Sequence, residues 1–253
     1  MNAYVVSMLA SSLATGTIIT ASASHWLTAW MGLELNTLAI LPLLTKTHTP
    51  RATESAVKYF LTQAAASTVL LAAATMNALT TGQWDITQLT TQPATTMMTL
   101  ALAMKLGLAP MHAWLPEVMQ GTSTKLALIL ATWQKLAPFA LLFMMPHLLH
   151  TPTILTLALL STLIGGWGGL NQTQLRKLMA FSSIAHLGWI TSMLTLNNHL
   201  ALATLGLYIS MTTTMFSTMM PTNMKSLKDT TTTWPAIPPT MLTILLTLIS
   251  LGG

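Results

Sequence analysis

The sequence predicts an all-α fold, namely a polytopic transmembrane helical bundle. Hydrophobic residues make up 52% of the 253 residues and charged residues only 6%, whereas a typical soluble domain is about 25% charged. Apolar runs recur along the whole chain, and they are longer than a membrane strand and lack its alternating pattern. The chain has no cysteine, which excludes disulfides, cysteine-ligated zinc and iron–sulfur clusters within it.

The apolar runs predict about nine membrane helices, because each is long enough to span a bilayer and is bounded by polar residues, proline or glycine. They belong to one polytopic helical domain over residues 1–253, whose fourth span is short and proline-interrupted and whose ninth span stops with the chain. We expect surface loops around Glu117 and from Pro221 to Pro239. The predicted spans are 4–23, 26–45, 55–79, 95–111, 124–145, 152–170, 175–195, 199–220 and 238–253.

Every second connection between the predicted spans contains basic residues. They occur in the second, fourth, sixth and eighth connections, and the other connections have none. By the positive-inside rule this places the N-terminus on the inner side of the membrane. The net charge of +5 therefore reflects orientation, and nucleic-acid binding is not expected, because no basic face interleaved with aromatic residues occurs. The basic residues in or beside these connections are Lys46, Arg51, Lys58, Lys125, Arg176, Lys177, Lys225 and Lys228.

Three ionisable residues lie inside long apolar runs: Glu34, Lys105 and Lys135. A charge at the centre of a bilayer costs about 2.5–3.5 kcal/mol on insertion scales, so such a residue indicates an ion or proton path by default. Glu34 is the natural partner of a lysine, since a Glu–Lys pair whose separation changes can bind and release protons near neutral pH. The alternative is a static ion pair that only fixes helix packing.

Each lysine is followed by a proline, Pro110 after Lys105 and Pro138 after Lys135. Proline removes one helix hydrogen bond, so we expect a weakened stretch of helix next to each ammonium, in the middle of its span. The carbonyls predicted to lose their partners are those of Leu106 and Gln134. Broken helices at mid-depth are typical of transporter sites; an ordinary kink with a snorkelling lysine is the alternative.

Two histidines are candidate linkers in a proton path. His112 follows Pro110 at the inner end of the broken helix, and His186 lies within its span, with Ser182 and Ser183 one turn earlier. Histidine exchanges protons near pH 7, although an interior histidine with a purely structural role is also common. A bis-histidine haem is not expected, since His186 alone lies clearly at mid-depth. Four other histidines are predicted to lie at the membrane interfaces: His25, His147, His150 and His199.

Four segments resemble a known family: HWLTAWMGLELNTLAILPLLTK, MKLGLAPMHAWLPEVMQGT, TWQKLAPFALL and GGWGGLNQTQLRKLMAFSSIAHLGW. Together they are similar to the chain 2 family of vertebrate mitochondrial NADH:ubiquinone oxidoreductase, or respiratory complex I, over nearly the whole sequence. The resemblance implies a proton-translocating, antiporter-like subunit of the membrane arm, in the mitochondrial inner membrane. It also implies a relay formed by the acid of MGLEL and the two lysines, here Glu34, Lys105 and Lys135.

The resemblance implies partners as well. We expect other membrane-arm subunits and the lipid bilayer to surround this chain, with no cofactor or metal inside it; FMN, iron–sulfur clusters and ubiquinone would be bound by partner subunits. Family members continue past the LISLGG segment to another buried lysine, so the chain is expected to be C-terminally incomplete at Gly253. The two rival functions are a stand-alone cation/proton antiporter and a non-catalytic membrane scaffold.

Overall fold

The computed structural model describes residues 2–145, 150–222, 224–234 and 238–251, except for the side chains of residues 231–233 and 251. Over these ranges the chain forms twelve α-helices and no strand beyond isolated β-bridges, which confirms the all-α prediction. The helices are α1 (Ala3–Ala21), α2 (Trp26–Leu44), α3 (Pro50–Thr81), α4 (Gln92–Leu106), α5 (Trp114–Gly121), α6 (Thr124–Ala131), α7 (Trp133–Met144), α8 (Thr151–Leu170), α9 (Leu175–Leu196), α10 (Asn198–Thr222), α11 (Leu227–Thr233) and α12 (Pro238–Leu251).

Seven helical stretches in the described ranges are long and apolar enough to cross a membrane. They are α1, α2, α3, α8, α9, α10 and the combined stretch Thr124–Met144, which contains α6 and α7. The helix α12 is apolar but shorter, at 14 residues, and α4 has 15 residues. The chain is therefore a multi-pass membrane protein. His147, which is predicted to be interfacial, and the last two residues of the predicted ninth span lie outside the described residues.

Two predicted loops are wrong. The segment around Glu117 forms the helix α5, whose buried face contains Trp114, Leu115 and Val118. Its apolar residues recur at helical spacing and pack inward, and this outweighed the turn residues that flank them. The segment after Pro221 contains the short helix α11, which begins with a capping box between Ser226 and Asp229.

The predicted continuous helix over 124–145 is interrupted at Thr132. Its backbone there has φ −113° and ψ −70°, which ends α6 and begins α7. The Lys135 amide consequently donates to the Thr132 carbonyl at 3.3 Å, three residues back instead of the four of a regular α-helix. The Thr132 hydroxyl donates to the Leu128 carbonyl at 2.7 Å, which closes the last turn of α6.

The connections that contain the basic residues meet at one end of the bundle. The Arg176 guanidinium donates to the carbonyl of Thr122, and this joins the start of α9 to the connection between α5 and α6. The Leu175 amide donates to the Lys225 carbonyl at 3.1 Å, which joins the same start of α9 to the connection after α10. We call this side of the molecule the basic end.

Two connections without lysine or arginine, between α1 and α2 and between α3 and α4, meet at the other end of α2. His25 pairs with Asp85 in an isolated β-bridge, and its ring stacks on Trp84 with centroids 5.6 Å apart. Hydrogen bonds from the backbone amide and the hydroxyl of Thr87 hold the pKa of the Asp85 carboxyl below its usual value. The separation of the two sets of connections is the arrangement that the positive-inside rule requires.

Candidate functional site

The two buried lysines line the same small cavity. Lys105 is 5% exposed and Lys135 is 3% exposed, and between them lies a cavity of about 20 Å³. A cavity of this size has room for about one water molecule. The amide side chains of Asn36, Gln63 and Gln134 also line it, so its wall is polar enough to bind water. The fold therefore brings two cations that are thirty residues apart in sequence to one internal site.

Lys105 lies in the last turn of α4. The helix ends at Leu106 because Gly107 adopts a left-handed conformation, with φ 80°. The amides of Gly107 and Leu108 both donate to the Ala103 carbonyl, each at 2.9 Å, which closes the helix end. A helix C-terminus favours a cation. The placement of Lys105 in the middle of a span, next to a carbonyl freed by Pro110, is therefore wrong: the helix ends before the proline.

Side chains donate hydrogen bonds to the backbone beside Lys105, whereas its ammonium has no such partner among the described residues. Gln63 donates through Nε2 to the Lys105 carbonyl at 3.5 Å. The indole of Trp114, on α5, donates to the Met104 carbonyl at 3.3 Å and packs edge-on against Tyr59. The Nζ atom of Lys105 is buried and has no hydrogen-bond partner within the described ranges. A buried polar group without a partner is costly and is characteristic of functional sites.

Glu34 lies on α2 at the side of this cavity. Its carboxylate accepts a hydrogen bond from the Thr37 hydroxyl at 2.9 Å, and Thr37 is itself part of the cavity wall. The carboxylate acts electrostatically on Lys105. It makes no direct ion pair with that lysine, because the ion pairs within 4 Å in the described part of the chain are formed by Lys58. The structure thus places Glu34 within electrostatic reach of Lys105 but not in contact with it.

Lys135 has a hydrogen-bond partner that the sequence analysis missed. Its Nζ donates to the Tyr208 hydroxyl at 3.3 Å and lies 5.2 Å from the centre of the Tyr208 ring. The Tyr208 hydroxyl in turn donates to the Ala131 carbonyl at 2.8 Å. Pro138 lies inside α7, one turn after the lysine, as predicted. The available signal was a tyrosine in the middle of an apolar span, since a buried tyrosine hydroxyl normally has a partner.

The two candidate histidines occupy different places. His112 lies in the turn between α4 and α5, half-buried, with Nδ1 3.2 Å from the Pro110 carbonyl oxygen, and it is not part of the wall of the lysine cavity. His186 lies on α9, and its ring centroid is 5.8 Å from that of Tyr208. It lines a second cavity of about 280 Å³ together with Trp189 and Tyr208.

Glu117 belongs to a charged cluster at the basic end. The Lys58 ammonium lies 2.5 Å from a Glu54 carboxylate oxygen and 2.6 Å from one of Glu117. These groups border an open cavity of about 360 Å³ together with Arg51 and Lys177. All three members of the cluster are substantially exposed, so their ion pairs add little stability. The cluster links α5 to α3 at the surface, away from the two lysines.

Comparisons with known proteins identify the family of this chain. The family described as NADH:quinone oxidoreductase/Mrp antiporter, TM, matches residues 23–253. The chain belongs to this family. NADH-ubiquinone oxidoreductase chain 2 of Xenopus laevis is 54% identical over all 253 residues, which make up 73% of that longer protein. The resemblance predicted from the four segments is therefore confirmed.

Two solved structures extend the comparison. A chain of respiratory complex I from Thermus thermophilus matches with a TM-score of 0.90 and 28% identity, over 99% of this chain and 60% of that one. A chain of the Mrp complex from Dietzia sp. matches with a TM-score of 0.69 and 22% identity, over 83% of this chain and 25% of that one. The second match shows a shared fold. Within the described residues, no group of three or more histidine, aspartate or glutamate side chains could hold a metal ion.

Proposed function

We propose that this chain is a proton-translocating, antiporter-like membrane subunit of respiratory complex I, which couples electron transfer from NADH to ubiquinone to proton pumping. The observation that carries the proposal is the pair of buried lysines, Lys105 and Lys135, on one polar cavity. The names of the relative and of the complex I structure support the assignment of the complex.

The surroundings of the subunit follow from this assignment. Its partners are the other membrane-arm subunits and the lipid bilayer, in the mitochondrial inner membrane, and residues 1–253 act as one antiporter-like domain. FMN, the iron–sulfur clusters and the ubiquinone site belong to partner subunits. The redox energy must therefore reach this chain as a change in charge or conformation at its boundary, because the chain has no cysteine to ligate a cluster.

The proposed relay begins with Lys105 as the group that gains and loses a proton. A change in the distance between Glu34 and Lys105 changes how tightly the lysine holds its proton, since Coulomb interactions are strong in a poorly solvated interior. When Lys105 releases its proton, a bound water can accept it and pass a different proton to a neutral Lys135. His112 and His186 are the proposed linkers beyond the two lysines.

The unpaired state of Lys105 favours a relay over a scaffold. A static ion pair stabilises a fold only when both charges are well paired, and a hydrophobic residue of similar volume is often as good or better. Lys105 has no hydrogen-bond partner at its ammonium among the described residues. A purely structural site gains nothing from such a group, whereas a carrier needs an ammonium whose contacts change during turnover.

Replacement of Lys105 by methionine tests the proposal. We expect Lys105→Met to assemble into the complex and to lose most of its proton pumping, because methionine fills the same space but cannot carry a proton. The measurement is the proton-to-electron ratio of the purified complex in liposomes, during oxidation of NADH by a ubiquinone analogue. Lys46→Met, which removes an exposed lysine, is the matched control and should pump normally.

The alternative functions give different results in the same assay. A scaffold would keep the normal proton-to-electron ratio in Lys105→Met once the complex had assembled. A stand-alone cation/proton antiporter would exchange Na⁺ or K⁺ for protons in liposomes that contain only this subunit and receive no NADH. Either result would overturn the proposal.

A further inference from the structure

Tyr208 contacts Lys135, which lines the lysine cavity, and itself lines the cavity of His186. We propose that the Tyr208 hydroxyl carries the proton between Lys135 and the His186 cavity, so that Tyr208 is a further member of the relay. The inference rests on the proposed function, in which Lys135 is a proton carrier. It adds the step by which a proton leaves Lys135 on the side away from Lys105.

The first support is the contact between Tyr208 and Lys135. Both residues are almost completely buried, at 2% and 3% exposure, and their polar atoms are 3.3 Å apart. The ring also faces the ammonium, at 5.2 Å from its centre. A neutral phenol can accept a proton from one neighbour while it donates its own to another. Tyr208 therefore satisfies the geometric requirement for a relay on the Lys135 side.

The second support is the link between Tyr208 and the interruption of the helix. In a regular α-helix the Ala131 carbonyl would accept the amide of Lys135. That amide instead bonds to Thr132, and the Ala131 carbonyl accepts the Tyr208 hydroxyl at 2.8 Å. The break between α6 and α7 thus leaves a backbone carbonyl as the resting partner of the phenol proton. From it the hydroxyl can rotate towards another acceptor.

The third support is the contact of Tyr208 with two residues of α9. The Ser183 side chain interacts with the Tyr208 hydroxyl, and the His186 ring lies 5.8 Å from the Tyr208 ring, centroid to centroid. Ser183 and His186 are neighbours on α9, three residues apart. Tyr208 also forms part of the wall of the 280 Å³ cavity that contains His186. Acceptors for the phenol proton are therefore present on α9, and His186 shares the wall of this cavity with Tyr208.

The step is a paired proton transfer. One N–H bond of the Lys135 ammonium breaks while a new O–H bond forms on Tyr208, and the original phenol O–H bond breaks while an N–H bond forms on neutral His186. The transfer to His186 passes through water in the cavity, which has room for it. Lys135 ends neutral, Tyr208 ends unchanged, and His186 ends as the cation. No oxidant or further reactant is needed.

Tyr208→Phe tests the proposal, because it removes the hydroxyl and keeps the ring. We expect the assembled complex to pump about a hundredfold more slowly, the lower end of what one positioned proton-transfer group contributes. Thr212→Val is the matched control: it removes a buried hydroxyl from the same helix, one that bonds only to backbone carbonyls of α10. It should pump at the normal rate.

The double variant Tyr208→Phe with His186→Gln separates a shared path from two independent effects. If both residues act on one path, the double variant pumps no more slowly than the slower single variant. Normal pumping by Tyr208→Phe, or full multiplication of the two losses, would overturn the inference. If Lys135→Met abolishes pumping while Tyr208→Phe leaves it normal, the proposed function survives and the role of Tyr208 does not.

A second variant covers the case in which Tyr208→Phe fails to assemble. Site-specific replacement of Tyr208 by 3-fluorotyrosine keeps the shape and the hydroxyl and makes the phenol more acidic. The rate of proton transfer depends on the acidity of the group that carries the proton, so the pumping rate should change if Tyr208 is a relay. The same replacement at Tyr4, which is 83% exposed, should leave the rate unchanged. An unchanged rate for position 208 would contradict the proposal.

Discussion

The Lys105 region and the Lys135 region each bury a lysine, but they surround its ammonium differently. Both hold a buried lysine at an interruption of a helix, and both face the same cavity. At Lys105 the helix ends at a left-handed glycine, and the ammonium has no hydrogen-bond partner in the described part of the chain. At Lys135 a second helix begins after the break, and the ammonium donates to Tyr208. Lys105 interacts electrostatically with Glu34, whereas Lys135 is fixed by its hydrogen bond to Tyr208.

The difference suggests a division of labour. An ammonium without a partner responds strongly to a nearby charge, because nothing else compensates its burial. Lys105 is therefore suited to sense a change at Glu34, which acts on it across a gap. Lys135, bonded to a neutral phenol, is suited to pass a proton on. The comparison predicts that charge substitutions affect the first region and hydroxyl substitutions the second.

The largest effect that separates the two regions is expected from Glu34→Gln. This change removes the charge that acts on Lys105 and keeps the size of the side chain and its ability to bond to Thr37. We expect pumping to fall by about tenfold, which corresponds to roughly 1.4 kcal/mol of lost coupling. The measurement is again the proton-to-electron ratio in liposomes. Glu54→Gln removes a carboxylate of the surface cluster and should have no effect; equal losses in both variants would contradict the separation.

A smaller effect is expected from Gly107→Ala. A left-handed conformation costs a non-glycine residue about 1–2 kcal/mol, and a Cβ at this position would lie 3.3 Å from the Trp114 ring. The variant should lower the melting temperature of the complex and also move the end of α4. Gly82→Ala is the matched control, since Gly82 has φ 71° and open space around it. It should show the conformational cost alone, so equal melting temperatures for the two variants would show that the end of α4 tolerates displacement.

The identity of the buried charges could be predicted from sequence because burial of charge in a membrane is costly. Glu34, Lys105 and Lys135 are conspicuous in runs of apolar residues, and the structure brings the two lysines to one cavity. The end of α4 was also visible in principle, because a glycine followed by a proline a few residues later is a common signal for the end of a helix. Pro110 taken alone places the end of the helix too late, because α4 already ends at Leu106.

Other features depend on contacts that no local pattern contains. The hydrogen bond between Lys135 and Tyr208 joins residues 73 positions apart, and a tyrosine in an apolar span does not reveal its partner. The break at Thr132 has no glycine or proline at the point of interruption. Threonine is common within membrane helices because its hydroxyl can bond to the preceding turn. The helical state of the Glu117 segment likewise depends on its packing against α3 and α9.

The most direct test of proton transfer through this chain is to replace each buried lysine by arginine. Lys105→Arg and Lys135→Arg keep a positive charge at each position, but a guanidinium does not release its proton in a protein. In the complete complex in liposomes, we expect both variants to assemble and both to lose most of their pumping per electron transferred. A normal proton-to-electron ratio in both arginine variants would show that these positions need only a charge, and would contradict the relay.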